Sequence, residues 1–479
     1  MFYLMGLVAA VLGQDIPPDF NFRGAAQSIF AELRSPTFVP YSRPAQKVEE
    51  FIAAGDSYTA GTGCNGLDEI IAGDALRGKR SYLMQMSTDK DNWGFINGDE
   101  TLPRFSFPAY TGNDAELSNI LNDCIYQGWR PKDCQATLSA LQKEIDDGTL
   151  RDKVNYALYQ VAHTGRESGG ANPRESFQVY VPSYITFFNE VNTECDSIFW
   201  SLWPWRRSRL TTQLRQQLNR LTTQVNAVIK AAAEDLERMG VIFVEGLENA
   251  YNGHRFCEPG HTNQQMVDYE TWFWSQYAPI NTPSEGPGDP NNPYPADDLD
   301  PAQLLLDFIF PGDNRKVAEV SETSPPWEWE GAEKFPTFND LLLAISNAED
   351  INATAVPFNL KRSFHPKATA FAEHKTLIFA AIANNRDVAT NIVQTANGGT
   401  VGYQGRPTPY RYFGQFHQNC KNCFFNPVDW PDHSTLWCAC KNNKDPFAKG
   451  SPVKLDDLMT VQDDGYVKCF GHISAPTQY

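Results

Sequence analysis

The stretch that most constrains this chain is Phe51-Ile-Ala-Ala-Gly-Asp-Ser-Tyr-Thr-Ala-Gly-Thr-Gly63. An apolar run, Phe51 to Ala54, stops at Gly55-Asp56-Ser57, and small, glycine-rich text follows. A strand buried between helices reads as a short unbroken apolar run, bounded by turn residues. In open α/β sheets ligands bind at the carboxyl ends of such strands. A serine on the sharp turn into a helix carries its hydroxyl outward, with the first helical N–H groups beside it, which suits a developing oxyanion. The same text also fits a plain glycine-rich strand-to-helix turn with a serine N-cap. Both readings predict an α/β fold with a parallel sheet.

At the other end, Arg362-Ser-Phe-His-Pro-Lys367 precedes a helix-like run, Ala368 to Ile382. A serine hydroxyl is a poor nucleophile until a base takes its proton, and histidine suits that task near neutrality. With Gly55-Asp56-Ser57 as a first block and Ser363-Phe364-His365-Pro366 as a last, the sequence resembles the SGNH (GDSL-type) hydrolases. The match is closest to secreted fungal and actinobacterial members and runs from about residue 46 to 383. The resemblance implies a three-layer α/β/α, flavodoxin-like domain in which Ser57 and His365 hydrolyse an ester without metal or organic cofactor. Asp56 and Arg362 flank the two catalytic positions and support them.

Thr111-Gly112-Asn113-Asp114 resembles the family's third block. The resemblance implies that the Asn113 side chain binds the oxyanion together with the Ser57 amide and Gly112. Asparagine offers two N–H donors without charge, which fits that role, and an Asn-Asp turn capping the next helix is compatible with it. Relatives carry a separate Pro-Ala-Cys-Ser-Gly block upstream. Here Pro108-Ala-Tyr-Thr-Gly112 runs straight into the asparagine block, so one glycine faces two positions. Either Gly112 serves a reduced oxyanion hole, or the chain is an internally deleted form with impaired activity.

The cysteines tell a similar story. In relatives the cysteine of that second block pairs with one just after the serine block. Cys64 occupies the latter position, while Tyr110 stands where its partner would be, which leaves Cys64 odd. Cys124 and Cys134 are close enough to bridge a loop, and Cys195 and Cys257 are the natural remaining pair. Relatives also place an aspartate three residues before the histidine, where this chain has Arg362. The upstream carboxylate is Asp350, and Glu373 lies on the following helix. A Ser57–His365 dyad is therefore expected, with a backbone carbonyl near Arg362 accepting the Nδ1 proton. His254, in Gly253-His-Arg-Phe-Cys257, is the rival base; its expected role is to order the loop held by Cys257.

Of the 479 residues, 41% are hydrophobic and 20% charged, an ordinary composition for a soluble globular protein. The net charge of −18 argues against nucleic acid or an anionic membrane as the main partner, since both require a basic face. Residues 1–13 read as a secretory signal, too short to span a bilayer. Ten cysteines fit an oxidising compartment, and Asn352-Ala-Thr354 is a glycosylation sequon in a secreted chain.

Residues 14–45 read as an irregular, proline-rich lead-in, and Thr88 to Asn97 as loop. Tyr180 to Trp205 is aromatic text that serves either an acyl pocket or a core under a disulfide. Leu210 to Met239 has apolar residues at three- and four-residue spacing, so it is a long amphipathic helix, stopped by Gly240 and followed by a strand, Val241 to Val244. Pro279 to Asp300 reads as a surface insertion.

After the hydrolase-like region, residues 384–412 read as linker and 413–479 as a small β-rich module. Its cysteine strands and final Asp-Gly hairpin resemble part of a cyanovirin-type lectin domain. Cys420–Cys440, and Cys423 with Cys438 or Cys469, are the expected disulfides there. Zinc is disfavoured because Cys438-Ala-Cys440 is poor tetrahedral spacing. The functional expectation is a secreted serine ester hydrolase acting on a small ester, a lipid or an acylated polysaccharide, without stable membrane insertion. The competing expectation is a catalytically impaired scaffold that binds glycans through its C-terminal module.

Overall fold

The computed structural model describes residues 17, 19–44, 47–53, 57–64, 78, 80–98, 101–106, 115–168, 174–206, 208–259, 271–276, 301–347 and 362–385, with short strands beyond them. The signal segment, the Pro279 to Asp300 insertion and the Asn352 sequon lie outside these residues. By Cα packing the chain divides into Met1–Ile382 and Ala383–Tyr479.

The first unit opens on a correction. The lead-in expected to be irregular carries helix α1 (Phe22–Leu33), whose Asn21 side chain accepts from the Gly24 amide. Ala26, Ile29 and Leu33 face inward at helical spacing. The prolines that made the segment look irregular flank this helix and do not interrupt it. Strand β1 (Glu50–Ile52) follows, then α2 (Ser57–Ala60), α3 (Tyr82–Thr88), α4 (Lys90–Asn97) and β2 (Arg104–Ser106). Helix α4 is a second correction, since its text reads as loop. Asp89 caps it by accepting from the Asn92 amide, left-handed Gly98 closes it, and Trp93 is fully buried.

β1 and β2 pair in parallel, with Glu50 opposite Arg104 and Phe51 opposite Phe105. The expected buried strand is shorter and one-sided. Phe51 packs on Trp93 and Phe105, whereas Ile52 is 55% exposed. Side chains alternate along a strand, so Glu50 and Ile52 share the open face.

Helix α5 (Ala115–Leu121) widens into a buried π-helical turn, Asn122–Tyr126. Its Asp123 carboxylate accepts from the Asn122 side chain, the Lys132 amide and the Thr137 hydroxyl, and Cys124 is bonded to Cys134. A buried carboxylate needs such donors to offset its lost hydration. Next come α6 (Cys134–Asp146), α7 (Thr149–Ser168), β3 (Val179–Pro182) and α8 (Thr212–Asp235).

Helix α8 is the amphipathic helix expected from the spacing. Thr211 caps it, and Leu214, Leu218, Leu221 and Ile229 are buried. A 3₁₀ turn and left-handed Gly240 stop it, and β4 (Val241–Val244) then pairs in parallel with β3. Two parallel strands joined through a helix form a βαβ unit, so this unit is a mixed α/β body. Helices α9 (Leu247–Ala250), α10 (Pro301–Ile309), α11 (Phe338–Asn347) and α12 (Ala368–Asn384) complete it. Among the described residues no helix is long and apolar enough to cross a membrane.

Much of the aromatic text between Tyr180 and Trp205 is core, although Phe199 is 41% exposed. Phe188, Trp200 and Trp203 are at most 1% exposed, beneath the Cys195–Cys257 disulfide. In the second unit, past α12, the described residues are antiparallel strands: β5 (Val393–Gln394) with β6 (Thr400–Val401), then β7 (Cys420–Phe425), β8 (Thr435–Cys440) and β9 (Ser451–Lys454), then β10 (Met459–Val461) with β11 (Val467–Cys469). Cys420 stands opposite Cys440 in the β7–β8 register.

Candidate active site

Ser57 opens the single turn of α2, and the chain then bends through Gly61 and Gly63, both left-handed. The Ser57 side chain, Asp56, Gly112 and Asn113 lie outside the described residues. What surrounds the turn is close-packed. A Cβ on Gly63 would sit 2.7 Å from the Arg362 Cβ and 3.1 Å from the Trp274 ring. Only glycine combines this backbone conformation with so close an approach. Cys64 is buried, and its thiol donates to the Gly61 carbonyl at 2.8 Å.

The histidine segment is held from several sides. It lies antiparallel to residues 272–274. The Phe364 amide donates to the Trp274 carbonyl at 2.8 Å, the Trp274 amide to the His365 carbonyl at 3.0 Å, and the Lys367 amide to the Trp272 carbonyl at 2.8 Å. The Ser363 hydroxyl is hydrogen-bonded to the Tyr126 phenol. Phe364 is left-handed, with φ of 63°, and 1% exposed. Tyr126, Phe187, Phe188, Trp200 and Phe256 meet its ring edge to face. A bulky side chain holds that backbone conformation only when its surroundings over-determine it.

The serine turn touches this segment directly. The Tyr58 hydroxyl donates to the Phe364 carbonyl at 2.6 Å, across 306 positions of sequence. The Tyr58 and His365 rings lie 4.9 Å apart, tilted by 37°. His365 is partly buried, and its Nδ1 is 3.2 Å from the Ser363 carbonyl oxygen, a backbone acceptor next to Arg362. When that nitrogen carries the proton it donates to the carbonyl, and Nε2 is left with a lone pair.

Arg362 stands where relatives of the resembled family carry an aspartate. Its guanidinium lies over the Trp274 ring at 4.2 Å, and the Lys367 ammonium is 5.3 Å from the same ring. Burial pulls the Arg362 guanidinium below its ordinary range, yet it remains a cation at neutral pH. A cation cannot accept a proton from imidazole, so Arg362 acts here through packing and cation–π attraction.

His254 stacks flat on Trp272, with ring centroids 3.9 Å apart, and its carbonyl accepts from the Trp272 amide. Its loop is fixed by left-handed Gly253 and by the Cys257 disulfide. Sequence reasoning missed Tyr58, Trp274 and His374. The third had a signal: Phe371, His374 and Ile378 recur on the buried face of α12. His374 Nε2 lies 2.9 Å from the Tyr251 hydroxyl, and burial pushes the imidazole down to about 3, so it is neutral. Among the described residues no cluster of three or more histidine, cysteine or carboxylate side chains could hold a metal ion.

No family model matches the chain, and no curated protein matches it. Among solved structures, an extracellular lipase from Streptomyces rimosus is similar with a TM-score of 0.31 and 18% identity, over 50% of this chain and 92% of the lipase.

Proposed function

We propose that this protein is a secreted serine ester hydrolase of SGNH type, with a three-layer α/β/α domain over about residues 46–383. In this reading Ser57 attacks the ester carbonyl while His365 Nε2 takes its proton, then returns that proton to the leaving alkoxide. Water activated by the same imidazole hydrolyses the acyl-enzyme. The Ser57 and Gly112 amides and the Asn113 side chain hold the oxyanion, and the Ser363 carbonyl fixes the imidazole tautomer. The observation that carries the reading is the contact between α2 and the histidine segment, where the residue after Ser57 bonds to the residue before His365.

The substrate class is a carboxylic ester of a small alcohol, a lipid or a glycan. The test is turnover of p-nitrophenyl acetate, butyrate and longer acyl esters. Ser57→Ala should lower kcat by about a thousandfold or more. Undiminished turnover in that variant rejects the reading. Asp350→Asn and Glu373→Gln should leave turnover within about threefold, since a backbone carbonyl replaces the usual carboxylate. A large fall in either identifies a triad.

A second reading, a catalytically impaired scaffold that binds glycans, is favoured by the Arg362 cation at the carboxylate position. Absence of turnover in the wild-type protein, with glycan binding by the full chain on an array, supports it.

A further inference from the structure

We infer that Tyr58 is a positioning residue that locks the histidine-bearing turn to the serine-bearing one. For its catalytic consequence the inference rests on the hydrolase reading; the geometry stands apart from it. The Tyr58 side chain acts on His365 in two places. Its hydroxyl donates to the Phe364 carbonyl at 2.6 Å, and its ring lies 4.9 Å from the imidazole, tilted by 37°. The Phe364 carbonyl and the His365 amide belong to one planar peptide unit. Holding that oxygen therefore sets the plane from which the His365 side chain projects.

This peptide needs holding, because Phe364 is in the left-handed region, with φ of 63°. That conformation is costly for an aromatic residue, and the backbone relaxes away from it unless constrained. The constraints are arranged around the peptide. Tyr126 holds the Ser363 hydroxyl, the Trp274 carbonyl accepts from the Phe364 amide, and the Trp274 amide donates to the His365 carbonyl. The bond to the Phe364 carbonyl comes from the residue adjacent to Ser57, so this constraint couples the two catalytic blocks. Gly63 adds close packing in the same place, against Arg362 and Trp274. The serine turn thus reaches the histidine segment by a hydrogen bond, a ring contact and backbone packing.

The discriminating variant is Tyr58→Phe, which keeps the ring and removes the hydroxyl. It should lower kcat by about ten- to a hundredfold with KM changed less than about twofold, because reacting groups lose alignment while ester-binding surface is kept. Hydrogen–deuterium exchange in the same variant should rise in peptides covering 57–64 and 362–367 and stay unchanged in α8. Wild-type kcat and unchanged exchange in Tyr58→Phe overturn the inference, and if Ser57→Ala is inactive in the same assay the hydrolase reading still stands. If the wild-type protein turns over no ester, the hydrolase reading fails and exchange alone decides. Raised exchange in both peptides then supports the lock, and unchanged exchange overturns it.

Discussion

His374 shows at the scale of one residue how burial sets charge in this protein. It sits in α12 against the Tyr251 hydroxyl, and burial holds its imidazole at about 3, against an ordinary value of 6.5. Between those values the unfolded chain binds a proton that the folded protein does not. The contribution to stability is therefore complete above pH 6.5 and is lost as pH falls toward about 3, by roughly 1.4 kcal/mol per pH unit. Urea unfolding followed from about pH 7 to about pH 4 should show a flatter profile for His374→Gln than for wild type. Equal slopes would remove His374 as the cause. Ser57 and His365 were legible in their local text as candidates by residue type. The left-handed backbone of Phe364 was not, because an aromatic residue disfavours that conformation and only the surrounding cluster imposes it.

At the scale of elements, α8 and β4 were legible because periodicity and a stopping glycine point the same way. Leu218 lies on the buried stripe, and Leu218→Ala should lower unfolding free energy by about 2–5 kcal/mol in urea titrations. A loss under about 1 kcal/mol would mean that the stripe is not tightly packed. Helices α1 and α4 were missed for a physical reason. α4 is short and polar, with few apolar residues to mark its period, whereas in α1 Ala26, Ile29 and Leu33 do mark it but the flanking prolines dominate the text. Their caps, Asn21 and Asp89, were the available signals. The β1 run was read as wholly buried, yet Ile52 faces outward. Composition alone does not tell how many faces of a strand are covered.

At the scale of the whole molecule, the two disulfides among the described residues span very different lengths of chain. Cys195–Cys257 closes a separation of 62 residues and Cys124–Cys134 one of 10. Loop entropy assigns them about 4 and about 3 kcal/mol respectively. Replacing both members of the longer pair by serine should therefore lower the melting temperature more than replacing both of the shorter, as calorimetry would show. The reverse order would mean that local packing outweighs chain entropy. By itself the sequence determined the α/β character and the helix that stops at Gly240. Periodicity, caps and turn residues act within a turn or two of chain, so contiguous text carries them. Tertiary structure alone decided that α2 meets the histidine segment through Tyr58, that Trp274 braces both, and that Phe188, Trp200 and Trp203 of the aromatic text are core. Those contacts join distant positions, and they form only because burying the whole aromatic cluster offsets the entropy of bringing such distant segments together.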